Sequence, residues 1–406
     1  MNNTNISALT DICYECGNCF KCCPVQAITM VQNDFGCSHA FINEAQCLHC
    51  GQCKEICPAC NPIEKHTPRI AYAAISKSPE ANHSTSGGIF FELASIIIEL
   101  GGVVIGAAYD FKTWAVRQVA VSKKTDITFL QGSKYVKSDV GDSYQKAKNF
   151  LELGKWVLYS GTPCQIAGLK RYLQKDYSTL LTVDLICHGT PPAKLFKDYI
   201  QYLEKKRHIV ISDFAFRFKE YGHQHIGQYT YKKGNRIRKK PLYSAESSYF
   251  SLFLSSAILS DSCYTCDFAD TARVGDITLG DFWGVRTELP RFFTDNSLPL
   301  DSSVSALMVN TVRGAEMADK IKGHLIYQPV DYDQIVRNNS RLNHQKNRDS
   351  SVHDILLTSY KDNGYNGIAK YFQKHADLKK YKMRIRRNMP QFLKKMIKKL
   401  FIEKPF

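Results

Sequence analysis

The chain has no run of about 18 apolar residues, the length a membrane-spanning helix requires. Its most apolar stretch, Gly88 to Val104, is interrupted by Glu92 and Glu99, and its spacing predicts a core helix running into a buried strand. The start, MNNTNISALTDICYEC, has neither a basic n-region nor an apolar h-region. That pattern does not predict export, so a cytoplasmic location is expected. Two common nucleotide cradles, GxxxxGKS/T and GxGxxG, are also missing. Cysteine, by contrast, is abundant. There are 15 in 406 residues, and eleven lie before residue 61. In a chain without a secretion signal, such cysteines are expected to be reduced metal ligands rather than disulfides.

A chain of this length implies two or three domains. The formal charge of +16 is concentrated at one end: Lys374 to Lys404 carries twelve Lys/Arg against Asp377 and Glu403. The body is only mildly basic, which gives no ground for a nucleic-acid partner. After Pro390, the apolar residues Phe392, Leu393, Met396, Ile397, Leu400 and Phe401 share one helical face, and Lys394, Lys395, Lys398 and Lys399 share another. Residues 390–404 therefore read as a basic amphipathic helix, suited either to peripheral contact with an anionic membrane or to docking on protein.

Pro62 and Pro68 close the cysteine-rich stretch, so a first domain is expected over 1–70. Beyond it, a helix over 89–100 stops at Gly101-Gly102, and apolar strands follow at 103–107, 156–159 and 180–186. Strands alternating with helices predict an α/β domain, with ligand loops after the strands. Boundaries are expected at 71–160, 161–335 and 336–406, the last a basic helical tail.

The strongest pattern is an internal repeat. Cys13-x2-Cys16-x2-Cys19-x3-Cys23-Pro24 recurs 34 positions later as Cys47-x2-Cys50-x2-Cys53-x3-Cys57-Pro58. Three cysteines at two-residue gaps wrap one corner of an iron–sulfur cube, and the fourth reaches the neighbouring cube. Two [4Fe-4S] clusters are expected, one on Cys13, Cys16, Cys19 and Cys57, the other on Cys47, Cys50, Cys53 and Cys23. Zinc knuckles pair their cysteines differently. Cys22, Cys37 and Cys60 fall outside the pattern. Two cubes in a small domain make a one-electron wire, which needs a source and a sink.

Four further cysteines, Cys164, Cys187, Cys263 and Cys266, lie far apart, and spacing alone leaves open whether they are core thiols or one site. The phrases STSGGIF (84–90), GGVVIGAAYD (101–110), GSKYVKSDVGD (132–142), SGTPCQIAGLK (160–170), VDLICHGTPP (183–192) and SCYTCDFADTARVGDITLGDFWG (262–284) resemble the family of coenzyme F420 hydrogenase and dehydrogenase beta subunits. The resemblance covers about residues 75–320. It implies an α+β ferredoxin-like module followed by an α/β flavin-binding domain of that family's type. It implies FAD and a third [4Fe-4S] cluster on Cys164, Cys187, Cys263 and Cys266. The flavin would be held by Ser84, Thr85, Ser86, Gly87, Gly88, Gly132, Ser133, Lys134, Tyr135, Gly161, Thr162 and Asp281, with His188 a candidate proton donor. The activity implied is an oxidoreductase passing electrons between reduced coenzyme F420, or a similar hydride carrier, and a redox partner. Relatives occur beside surface-polysaccharide genes, so a ferredoxin-linked reductase in polysaccharide synthesis is an alternative, as is a non-catalytic electron-transfer protein. The stretch with Arg217, Lys219, His223 and His225 is expected to form a basic mouth for an acidic coenzyme tail.

Overall fold

The computed structural model describes residues 5–7, 12–218, 226–343 and 350–375. The N-terminal cysteine-rich stretch is small: a hairpin of β1 (Ile28–Gln32) and β2 (Ser38–Ile42), with short helices α1 (Asn18–Cys22) and α2 (Gln52–Glu55). The remainder is built on a nine-stranded sheet. Its strands are β3 (Ile70–Ser76), β4 (Val103–Asp110), β5 (Ala115–Val121), β6 (Ser138–Asp139), β7 (Val157–Gly161), β8 (Leu180–Leu185), and three more described below. A separate antiparallel sheet of β9 (Val210–Ala215), β10 (Ile226–Lys233) and β11 (Arg236–Tyr243) lies between β8 and β12 in the chain. The large sheet is completed by β12 (Ile277–Asp281), β13 (Ser305–Val309) and β14 (Leu325–Val330), in the order β14-β3-β13-β12-β8-β7-β4-β5-β6.

At its centre, β12, β8, β7 and β4 run parallel. Antiparallel strands flank them on both sides. Parallel strands are covered on both faces and so read as continuous apolar runs; Val157, Leu158, Tyr159, Leu181 and Val183 are fully buried. One face is covered by α3 (Ile89–Glu99), whose Ile89, Leu93 and Ile97 pack with Leu158, Leu181 and Ile277. It ends where Gly101 takes φ 73°, the left-handed conformation that glycine adopts without a side-chain clash. After it come α4 (Ile127–Leu130), α5 (Ser143–Glu152) and α6 (Pro163–Leu173). The last two cover the other face through Tyr144, Ala147, Ile166 and Leu169. The sheet draws strands from both sides of residue 160, so the expected 71–160 and 161–335 segments share one core.

A third apolar cluster joins α7 (Ala193–Arg207), the three-stranded sheet and α8 (Ser248–Leu254) to the helix Tyr365–His375. The expected helix over 244–260 is shorter, because Ser247 caps α8 by accepting from the Phe250 N–H and the chain turns out again at Ser256 (φ 62°). Residues 390–404 lie outside the described residues, among which no helix is long and apolar enough to cross a membrane.

One buried ion pair ties the loop after α8 to the sheet. Arg273 and Asp184 are 2% and 0% exposed and 3.2 Å apart. Arg273 also donates to the carbonyls of Phe268, Asp270 and Leu185, and Asp184 accepts from the N–H groups of Val274 and Gly275. Removing one partner strands the other charge in the core. Arg273→Met should cost about 3–5 kcal/mol, measured as a fall in the urea midpoint at unchanged slope. An unchanged midpoint would mean that the pair does not hold this loop.

Candidate functional site

The two cysteine turns repeat in backbone as well as in sequence. Glu15 and His49 take φ 60° and 52°, and Gly17 and Gly51 take 71° and 79°. Each pair is separated by the same 34 positions as the cysteines. The turns bring the cysteines together in crossed fashion. Cys13, Cys16, Cys19 and Cys57 line one small cavity, and Cys23, Cys47, Cys50 and Cys53 line another. Backbone N–H groups point at sulfur: Ala27 at Cys23 (3.2 Å) and His49 at Cys47 (3.4 Å). Burial pushes the Cys16 thiol up to about 12, and Cys57, Cys13 and Cys164 add to the shift. Cys19 is raised by burial, then by Cys16, Cys13 and Cys57. Such a set cannot ionise together without a cation among the sulfurs, which is the donor chemistry an iron–sulfur cube needs. Neither cavity is lined by Cys22, Cys37 or Cys60. Cys37 is buried in the apolar cluster around α7, and burial raises it to about 12.

The four dispersed cysteines also converge. Cys164 stands in the first turn of α6, which starts with Thr162 and Gln165 capping each other and Pro163 at the first position. Cys187 follows β8, and Cys263 and Cys266 lie in the turn that Arg273 anchors. Burial and then the charges of Cys263, Cys164 and Cys266 raise Cys187. Burial, Cys164 and Cys263 push Cys266 to about 12. N–H groups again face the sulfurs, from Gly189 to Cys187 (3.4 Å) and from Thr190 to Cys263 (3.5 Å). Gly189 has φ 105°, and a Cβ there would stand 2.7 Å from the Leu259 side chain. Among the described residues, the group whose ligand atoms lie within 4.8 Å of one another is Glu44, Cys47 and His49. A cube spreads its ligands more widely than a single ion does.

The first cysteine set is pressed against the dispersed one. The Asn18 side chain donates to the Gly168 carbonyl at 2.8 Å, and Tyr14 donates to Asp267 at 2.9 Å. A Cβ on Gly168 would be 3.1 Å from Cys16 Cβ. Gly168 is one helical turn from Cys164, so α6 touches both sets. The second set faces outward: Cys50 is exposed, with Val25 and Leu48 also exposed beside it.

An open cleft of ≈ 540 Å³ lies toward the carboxyl ends of the parallel strands. Cys187, His188, Gly161, Thr162 and Asp281 line it, as do most residues of the loops at 84–88 and 132–135. These loops meet where Thr85 and Ser133 hydroxyls lie 2.8 Å apart. Gly88, at φ 85°, opens α3 without a side-chain cap, so first-turn N–H groups border the cleft. Two expected binding groups are committed elsewhere. The Gly87 N–H donates to Ser305 Oγ (2.9 Å). Lys134 Nζ donates to the carbonyls of Leu130, Gln131 and Gly132 at 2.9–3.3 Å, closing the end of α4. His188 Nε2 lies 3.2 Å from both the Phe253 carbonyl and Ser256 Oγ. Tyr135 stacks on Phe253, ring centres 4.5 Å apart.

Arg217 does not form a basic mouth. It is buried, pairs with Asp281 Oδ2 at 2.5 Å and lies over Trp283; a guanidinium this desolvated needs its carboxylate. Lys219, His223 and His225 lie outside the described residues. Asp281 Oδ1 is buried and has no partner among the described residues. Sequence reasoning missed Gln165, Gln118 and Ser305, which line the cleft. The Thr-Pro-x-Gln signature of the capping box was the available signal for Gln165. Lys137, also on the cleft, was missed as well. Burial opposes its charge, but Glu15, then Cys164, Cys263 and Cys13, outweigh that and hold its pKa above the ordinary lysine value.

The fold and these sites together define an α/β protein with three four-cysteine centres and a ligand cleft beside the innermost. Residues 154–333 match the family described as the C terminus of the coenzyme F420 hydrogenase/dehydrogenase beta chain, and over that segment the chain belongs to this family. It is 23% identical over 189 residues to the F chain of the F(420)H(2) dehydrogenase of Methanosarcina mazei. That alignment takes 44% of this chain and 53% of the relative, so the chain spans about half the length of the curated relative it matches. The F420-reducing [NiFe] hydrogenase complex from Methanosarcina barkeri, solved as a xenon derivative, contains a chain 16% identical. Its TM-score is 0.43, over 68% of this chain and 91% of the other.

A Cβ on Gly87 would lie 2.3 Å from the Ala74 carbonyl and 2.8 Å from Ser305 N. Gly87→Ala must therefore push the 84–88 loop off β3 and β13, and should cost about 1–3 kcal/mol. Thermal unfolding checks this; an unchanged Tm would show that the loop moves freely.

Proposed function

We propose that the chain is an iron–sulfur flavoprotein oxidoreductase that passes electrons between a two-electron carrier of the reduced coenzyme F420 kind and a protein acceptor. One observation carries the reading: a cleft bordered by Cys187, the dispersed cysteine set behind it, a second set one helical turn further, and a third at an exposed face. Cys164, Cys187, Cys263 and Cys266 would hold the inner cluster, Cys13, Cys16, Cys19 and Cys57 the proximal one, and Cys47, Cys50, Cys53 and Cys23 the distal one. Ser84–Gly88, Gly132, Ser133, Tyr135, Gly161, Thr162 and Asp281 would hold FAD in the cleft. When bound, these groups supply exchange between two-electron and one-electron transfer, and storage of single electrons.

The chain's own residues do the rest. Uncapped N–H groups at the start of α3 favour an anion such as a pyrophosphate. The Asp281 Oδ1 atom offers an acceptor to a ligand N–H, and Arg217 keeps that carboxylate ionised and aimed. Leu130, Tyr135, Phe253 and Leu279 give the cleft apolar walls that exclude water. His188, with Nε2 held by Phe253 and Ser256, orients the loop after Cys187 rather than delivering a proton. The exposed apolar rim of Val25 and Leu48 beside Cys50 suits a transient protein partner.

Anaerobically purified protein should contain about twelve irons per chain, four per cube, with one flavin, and should bleach a reduced deazaflavin. Cys164→Ser should leave about eight irons. Cys13→Ser and Cys57→Ser should abolish one and the same electron paramagnetic resonance signal, and Cys23→Ser another. Eight irons without flavin in the wild type would reduce the protein to a carrier and sink the oxidoreductase reading.

A further inference from the structure

We propose that the buried Glu15–Lys137 pair sets the difference in reduction potential between the proximal and inner metal centres, favouring the electron on the inner one. The inference rests on the reading that both cysteine sets hold clusters. The pair stands between them. Lys137 Nζ lies 3.7 Å from Glu15 Oε1, and the side chains are 9% and 11% exposed. Nζ also donates to the Tyr14 carbonyl at 3.0 Å, within the proximal turn. The Lys137 N–H donates to the Pro191 carbonyl at 2.8 Å, four residues beyond Cys187. Glu15 sits between Cys13 and Cys16, and its Oε2 accepts from the Ser38 N–H at 3.1 Å.

The pair is directional. The thiols on which the Lys137 charge acts most are Cys164 and Cys263 of the inner set, ahead of Cys13. Glu15 acts on Cys13 more than Lys137 does. A cation beside the inner centre stabilises its reduced, more negative state, and an anion beside the proximal centre does the reverse. Arg341 acts on Cys187, Cys263 and Cys266 as well and favours the inner centre in the same sense. Stability alone is a poor reason for the pair, because a buried ion pair is rarely better than apolar packing. The equivalent turn of the repeat has His49 in place of Glu15, with an exposed side chain, so cluster binding itself does not demand an acid there.

The test is a redox titration of the full-length holoprotein, followed by electron paramagnetic resonance, with iron counted on each sample. One unit charge about 10 Å away at an effective dielectric constant of about 20 changes a one-electron equilibrium roughly tenfold, equivalent to about 59 mV. Lys137→Met should move the inner midpoint negative by about that much and the proximal one less. Glu15→Gln should move the proximal midpoint positive. Lys137→Arg should stay near wild type, and the double variant should fall between the singles. Single variants that keep their iron and shift both midpoints in the same direction, or shift neither, would overturn the proposal. If Lys137→Met loses iron, the opposite signs expected of Glu15→Gln and the near-null Lys137→Arg still decide it. A wild type lacking the inner cluster's four irons would instead show that the underlying cluster reading had failed.

Discussion

Thiolates repel one another, and four of them are buried together only around a cation. That constraint shapes the chain at three places. At each, the sulfurs are partly desolvated, backbone N–H groups point at them, and where shifts are resolved the thiols are raised by burial and by one another. The structure around them works to keep this arrangement from relaxing. Left-handed residues turn the chain inward at Glu15, Gly17, His49 and Gly51. The Thr162–Gln165 capping box fixes where α6 begins, and hence where Cys164 points. Arg273, bound to Asp184 and three carbonyls, holds the turn of Cys263 and Cys266 against the end of β8, beside Cys187.

The sheet explains why a cleft adjoins one of these places and not the others. Four parallel strands end on the same side, and the loops leaving β7, β8 and β12 carry Thr162 and Cys164, Cys187 and His188, and Asp281. Cofactor contacts and cluster ligands therefore come from the same loops. Gly161 to Cys164 is four residues, one of them the helix cap. A ligand in the cleft and a metal centre on Cys187 would share a wall, which is what electron transfer between them requires.

The legible parts of the sequence were those with a local signature. The 34-residue repeat spans each turn completely, so its crossed ligand grouping was readable from spacing. The helix over 89–99 and its glycine stop were readable from apolar period. The four dispersed cysteines were not, because their meeting depends on strand order, and no spacing encodes that β12 pairs with β8. Single charges were read least well. Lys134 resembled a phosphate binder but closes a helix end. Arg217 resembled a surface cation but is desolvated and paired across the fold. Lys137 carried no local signal at all, since its partner is 122 positions away in the chain.

The repeat itself is symmetric only at its ligands. Moving 34 positions exchanges Tyr14 for Leu48, Glu15 for His49 and Asn18 for Gln52. The first member of each pair makes a buried contact with the body: Tyr14 with Asp267, Glu15 with Lys137, Asn18 with Gly168. The second members face outward, and Leu48 is 64% exposed. Two cysteine turns of the same design are thereby given different surroundings, one sheltered by the large domain and one open. Reduction potential follows charge, hydrogen bonding and solvent exposure. An ordered path needs such a difference between neighbouring centres, and here it comes from the residues between the cysteines rather than from the cysteines.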